Sequence, residues 1–263
     1  MFGRLAARAL RAGGVVAGLL CGVVPAAAQT NMQLWGNATF DWKRTDRRTY
    51  ALDFEPKVLV AAPDGEPSWR SLDVTPSATF VVRDWVDAVA ELNSAFTHQT
   101  DGLNSIELAP RIGAHFHLFS RDLPAPLTPL RPRRDERPPK RRLVIRDLLR
   151  VEFRNLFYFD DDTPNSCTVR LRNRLEFLSP LNRDRLTDDG ARYLIADWEW
   201  FVPLDEPSER FANKQRVRAG LGYRHDASWK LECLYIWSRS RNTTSENFKT
   251  SDNIIDIVFK TSF

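Results

Sequence analysis

Cysteine, methionine, histidine and long apolar runs are all scarce in this chain. Its 263 residues include three Cys, two Met and four His. So few cysteines exclude a fold held by a dense disulfide framework. Beyond residue 28 no stretch reaches the ~18 apolar residues of a helical span, which excludes a transmembrane helix there. An excess of one charge is also missing. The formal net charge is +4, but three of the 38 basic residues, Arg4, Arg8 and Arg11, stand in the first 28 positions, which hold no acid. Past residue 28 the 35 remaining basic residues face 34 acidic ones. That balance, with no RNA- or DNA-binding motif, gives no nucleic-acid partner.

What is present begins at the N-terminus. Arg4, Arg8 and Arg11 flank an apolar run over 12–24, and Ala26-Ala27-Ala28 offers a small-residue cleavage site before Gln29. This layout predicts a cleaved secretory signal peptide over 1–28 and a mature chain over 29–263. The run is too short for a transmembrane anchor. Leu20 stands where a small residue is typical before a lipidated cysteine, so no lipid is expected on Cys21. The other two cysteines, Cys167 and Cys233, fall on segments that are not neighbours and are expected as free thiols.

Period-two alternation fills the mature chain and helical periodicity is weak. It predicts strands near 33–43, 49–60, 71–83, 88–98, 105–119, 143–158, 167–178, 192–202, 214–225, 229–240 and 252–263. Most run ten to fifteen residues, which suits tilted membrane strands better than the ~5–6 residues usual in soluble sheets. One face of each is apolar and the other polar. In 214–225, Val217, Ala219, Leu221 and Tyr223 oppose Arg216, Arg218 and Arg224. A soluble sandwich would alternate in the same way, with its apolar face inward. The aromatics favour a membrane barrel. Trp229, Tyr235 and Trp237 share a face, and positions 229 and 237 lie roughly 26 Å apart along a strand. With tilt, that is about the spacing of two aromatic girdles.

The last strand closes on Phe263, with Phe259 on the same face. This ending resembles the assembly signal of Gram-negative outer-membrane barrels, although Thr261 departs from the usual apolar position. The resemblance implies recognition of the C-terminal strand by the barrel-assembly machinery and contact with outer-membrane lipid. With Phe263 at the periplasmic rim, His225–Trp229, Asp84–Asp87 and Thr45–Arg48 become short periplasmic turns. Eleven strands break the even-number rule of such barrels, so ten or twelve are expected. The predicted fold is all-β: a single antiparallel transmembrane β-barrel of about 10–12 strands. Residues 121–142 interrupt it with six prolines and a net charge of +5. They read as a loop that could touch anionic headgroups or peptidoglycan, or stay solvated without a partner.

The charged faces hold the candidate functional residues. Arg150, Glu152 and Arg154 lie on one strand, Arg170, Arg172, Arg174 and Glu176 on the next, Asp197 and Glu199 on the third, and Arg216 and Arg218 on the fourth. In a barrel they face the lumen as cross-strand ion pairs. Such a network either plugs a narrow barrel or lines a small anion-favouring pore. Interleaved acids favour the plug. No catalytic set emerges. Ser94 and His98 share a face but sit ~13 Å apart along one strand, beyond the reach of a nucleophile and its base. His115 and His117, on the lumen face with Glu107 and Arg111, could give part of a metal site but lack further ligands. They read as hydrogen-bonded lumen histidines, and no metal or cofactor is expected. Asn242-Thr243-Thr244 matches a glycosylation acceptor that a bacterial chain would not use. A soluble periplasmic lipocalin-like binder and an outer-membrane lipid-modifying enzyme remain as alternative readings.

Several short motifs carry a family resemblance. They are Gln33-Leu34-Trp35, the Arg150–Arg154 and Arg170–Glu176 rows, Asp197-Trp198-Glu199-Trp200-Phe201, and the stretch from Gln215 to Tyr223. Together they resemble the bacterial outer-membrane barrels grouped as domain of unknown function 2490, across nearly the whole mature chain. That resemblance implies an outer-membrane barrel and carries over no catalytic residue.

Overall fold

Alternating side chains over a dozen residues can bury one face only if the strands find partners on both edges. Here they do so by closing on themselves. In a computed structural model the protein is described over residues 30–62, 68–100, 102–119, 143–160, 163–205, 214–241 and 248–263. The expected signal peptide over 1–28, Cys21, the 121–142 loop and Asn242-Thr243-Thr244 lie outside the described residues. The strands are β1 Asn31–Thr45, β2 Arg48–Ala61, β3 Trp69–Arg83, β4 Val86–Gln99, β5 Ser105–Phe119 and β6 Val144–Tyr158. They continue with β7 Ser166–Pro180, β8 Arg192–Pro203, β9 Lys214–Arg224, β10 Trp229–Ser240 and β11 Lys249–Ser262. Each expected strand is present.

The strand number corrects the sequence expectation. The closed barrel has eleven strands, neither ten nor twelve. All neighbours are antiparallel except the closing pair. There β1 and β11 run parallel, from Asn31 opposite Asp252 to Asp41 opposite Ser262. An odd ring of alternating strands forces one parallel seam. The first segment is a full strand that pairs with both β2 and β11. Side chains reinforce the seam, where Gln33 Nε2 donates to Asp252 Oδ1 at 2.7 Å. The backbone N–H of Lys43 and of Phe263 donate to the carbonyls of Phe263 and Asp41.

Because β11 ends where β1 ends, Phe263 shares a rim with the turns after β1, β3 and β9 and with the β7–β8 connection 181–191. We call this the C-terminal rim. The opposite rim holds the start of β1.

Prolines inside strands are a second departure from simple alternation. Pro110 lacks an N–H, so the β5–β6 ladder skips from Leu108↔Asn155 to Arg111↔Glu152. The Asn155 side-chain amide donates to the Leu108 carbonyl at 3.1 Å beside the gap.

The barrel is sorted opposite to a soluble one. Side chains pointing outward are mainly apolar, among them Val60, Leu72, Phe96, Ile112, Phe153, Trp198 and Leu221, each at least 39% exposed. Inward positions are mainly charged and buried. Toward the C-terminal rim part of the inward face turns apolar, while Asp41, Arg224, Lys230 and Lys260 keep the side around β9 to β11 and β1 charged. Val144, Leu178, Tyr193, Ile195, Leu234 and Val258 form one buried cluster there. Leu186 joins them from the β7–β8 connection. Tyr193 fits this cluster because Gly222 on β9 leaves room for its ring. A Cβ at Gly222 would lie 2.2 Å from that ring.

Candidate functional site

Among the described residues, charged groups converge in number in the lumen. Glu152 on β6 is fully buried and is the hub. It accepts from Arg150 Nε at 2.9 Å and Arg170 Nε at 2.5 Å. Arg111 and Arg172 stand 3.4 Å from the same carboxylate. Glu199 on β8, equally buried, accepts from Arg172 Nε at 2.5 Å and sees Arg216 at 3.5 Å. Beside them Asp197 pairs with Arg218 at 2.7 Å, Glu91 with Arg150 at 2.7 Å, and Glu107 with Arg154 at 2.8 Å. Glu176 pairs with Arg146, whose Nε is 2.8 Å away. Shared partners lower the entropy cost per bridge, because a guanidinium held once is already ordered for its second contact.

Two inward aromatics brace the arginines. Phe201 has the guanidinium carbons of Arg170, Arg172 and Arg216 within 4.7 to 5.0 Å of its ring centre. Trp35 is stacked by Lys57 at 4.7 Å and Arg216 at 5.1 Å. Such contacts add attraction where water is excluded. Trp35 therefore faces the lumen and not the outer surface.

The candidate residues thus come together as cross-strand pairs, with one exception. Arg174 faces the lumen, yet among the described residues no carboxylate lies within ion-pair distance of it. Sequence reading placed Arg146 on the charged face, but it missed Glu91, the inward ring of Phe201 as a brace for the arginines, and the apolar cluster around Leu186. A signal for the cluster exists: Leu178, Ile195, Leu234 and Val258 all break the charged face at positions near one rim. Acids do interleave with arginines along β6 to β8, as expected, but across the barrel the charges segregate. Lining residues and the two buried glutamates on β5 to β9 give nine cations against five carboxylates. The β1 to β4 wall gives one against four, and β10 with β11 one against two. The whole is neutral and transversely polarised around a cavity of about 400 Å³.

Two of the four histidines, His98 and His117, are held by side-chain hydrogen bonds. His117 Nε2 lies 2.8 Å from Asp87 Oδ2 in the lumen, and His98 Nδ1 lies 2.7 Å from Asn104 Oδ1. Among the described residues no three His, Cys, Asp or Glu converge as metal ligands do. Ser94 and His98 lie on outward-facing positions of β4. Cys167 and Cys233 are free and exposed, as expected.

Residues 135–249 match the family described as protein of unknown function (DUF2490). No curated protein matches the chain. The DUF2490 match runs from before β6 to the first residue of β11, so it holds Glu152, Glu199 and the arginine rows that pair with them. Gln33-Leu34-Trp35 falls outside it, so the match is narrower than the resemblance read from the motifs.

The remaining expected features are placed on the outer surface. Trp229, Tyr235 and Trp237 point outward from β10, with Trp229 at the C-terminal rim beside His225 and Phe259. Phe259 and Phe263 also point outward. Phe263 stacks on Trp42 of β1, with ring centres 6.2 Å apart.

Proposed function

We propose that this chain is an outer-membrane β-barrel with a lumen closed to bulk flow, and that it is not an enzyme. The observation carrying this reading is the inverted sorting, apolar outside and charged inside, on a wall without free edges. A water-soluble barrel of this size would expose far more apolar surface than monomers tolerate, whereas lipid accepts it. This weighs against the lipocalin-like alternative. Trp42, Trp85 and Trp229 at the C-terminal rim and Trp198, Trp200 and Trp237 nearer the other suit two interfacial belts. An outward polar pair, Asn173 donating to Asp147 at 2.7 Å, is one exception. Its internal hydrogen bond lowers the cost of facing lipid.

Closure rests on two layers. The ion-pair network narrows mid-height to a cavity of about 400 Å³, and the apolar cluster around Leu186 closes part of the lumen between it and the C-terminal rim. In the proposed orientation that rim faces the periplasm. The barrel-assembly machinery would engage β11, with outer-membrane lipid around the wall. No nucleic-acid partner is proposed, and any contact of 121–142 with anionic headgroups belongs to the same proposal.

Heat-modifiability tests this reading. The mature chain refolded in detergent should migrate differently before and after boiling, and should fractionate with outer membranes. Deleting Phe263 should lower the membrane-assembled fraction several-fold in cells while leaving refolding in detergent intact. Free periplasmic protein without a mobility shift would overturn the membrane reading. Planar-bilayer recordings separate plug from pore: closure predicts no resolved current steps, whereas anion-selective steps would favour the small pore that the basic β5–β9 wall could line.

A further inference from the structure

Among the described residues, nearly every charge lining the central cavity is paired, and four are not. Arg174 and Lys260 have no carboxylate within ion-pair reach among the described residues. Asp53 has only the Thr39 hydroxyl, at 2.5 Å. Asp256 is 95% buried, and its Oδ1 has no hydrogen-bond partner. All four line the same cavity. Two are cations and two are carboxylates, so the unmet demand is balanced in sign.

Position sharpens this. Asp53 on β2 and Arg174 on β7 are five strands apart one way round the ring and six the other. They therefore stand on opposite walls, the carboxylate on the acidic side and the guanidinium on the basic side. Lys260 lies two strands from Asp53, in a row through Thr39, and is not close enough to pair with it. An anion alone would leave both carboxylates unmet, and a cation alone would leave Arg174 and Lys260 unmet. Unmet charge in a confined lumen is costly. A ligand with one charge of each sign, aligned with the transverse field, answers both walls.

We propose that the lumen cavity holds a small zwitterion, with its anionic end at Arg174 and its ammonium end at Asp53. Asp256 and Lys260 set the field along β11. The ligand class is a short primary amine carrying a carboxylate.

The test uses the full mature chain refolded in detergent and three near-isosteric probes: γ-aminobutyrate, butyrate and butylammonium. Calorimetric titration should show saturable binding of γ-aminobutyrate, with the two singly charged probes at least tenfold weaker. Asp53→Asn and Arg174→Gln should each weaken γ-aminobutyrate at least tenfold, while Asp46→Asn on the β1–β2 turn leaves it unchanged. The comparison of probes needs no variant, so misfolding of a mutant cannot hide the answer. Absence of saturable γ-aminobutyrate binding, or equal binding of butyrate, would overturn the inference. A preserved heat shift in that case would leave the barrel reading standing.

Discussion

Glu152→Gln should destabilise the barrel by about 3–5 kcal/mol, the range for removing one partner from a buried ion cluster. The carboxylate is fully buried and four arginines, 111, 150, 170 and 172, converge on it. A neutral amide of the same size keeps the packing and removes the counter-charge. The amide keeps one acceptor oxygen, so one of the two bonds from Arg150 Nε and Arg170 Nε is lost and both guanidiniums lose their counter-charge. Arg172 keeps Glu199, so the loss is shared unevenly. Urea unfolding in detergent, followed by tryptophan fluorescence, reads the change as a lower midpoint at constant slope. A paired control sets the scale. Asp46→Asn removes the partner of Lys43 on an exposed turn and should change stability by no more than about 0.5 kcal/mol. Equal effects at the two sites would show that the lumen is wet enough to screen its charges as a surface does.

Gly220→Ala should cost about 1–3 kcal/mol or more, at the upper end of overpacking, because the obstacle is backbone. A Cβ there would sit 2.1 Å from the Cys233 carbonyl oxygen and 2.8 Å from the Leu234 Cα. Neither atom can rotate away, so the β9–β10 ladder must open at Gly220↔Leu234. The same substitution at Gly36 meets only Pro56 Cγ at 3.6 Å, an ordinary contact. It should be neutral or raise stability by about 0.4–1 kcal/mol, through the loss of unfolded-state freedom. Opposite outcomes from one chemical change, read by the same unfolding assay, would tie Gly220 to close strand approach. Matching outcomes would mean that β9 and β10 lie further apart than described.

Much of the wall was readable from residue order alone. Val217, Ala219, Leu221 and Tyr223 alternate with Arg216, Arg218 and Arg224, and a strand has only two faces, so local pattern fixes which residues share a side. Trp229 and Trp237 fell on the outer face by the same logic. Closure was not readable this way. Whether eleven segments make a barrel of eleven depends on β1 meeting β11, and the Gln33–Asp252 contact there joins residues 219 positions apart. The even-number expectation came from the common antiparallel case, and the parallel seam departs from it. Pairing inside the lumen was legible only in outline. Arg174 sits in the same alternating row as Arg170 and Arg172, yet Glu199 is taken by Arg172 and Arg216, and Glu176 by Arg146. Competition among neighbours on three strands decides which cation is left over. Leu186 was hidden for another reason: it comes from a connection, where no periodicity marks a side chain turned inward.

An outer face in lipid would shield one of the two exposed cysteines and not the other, a difference that can be read without any substitution. Cys233 points outward from mid-β10, whereas Cys167 sits near the start of β7 at the opposite rim. Intact outer membranes would be treated with a charged, water-soluble maleimide and the cysteine peptides quantified by mass spectrometry. Cys167 should be modified and Cys233 protected until the protein is unfolded in urea. Equal, rapid modification of both thiols in the native protein would place the apolar face in water and contradict the membrane reading.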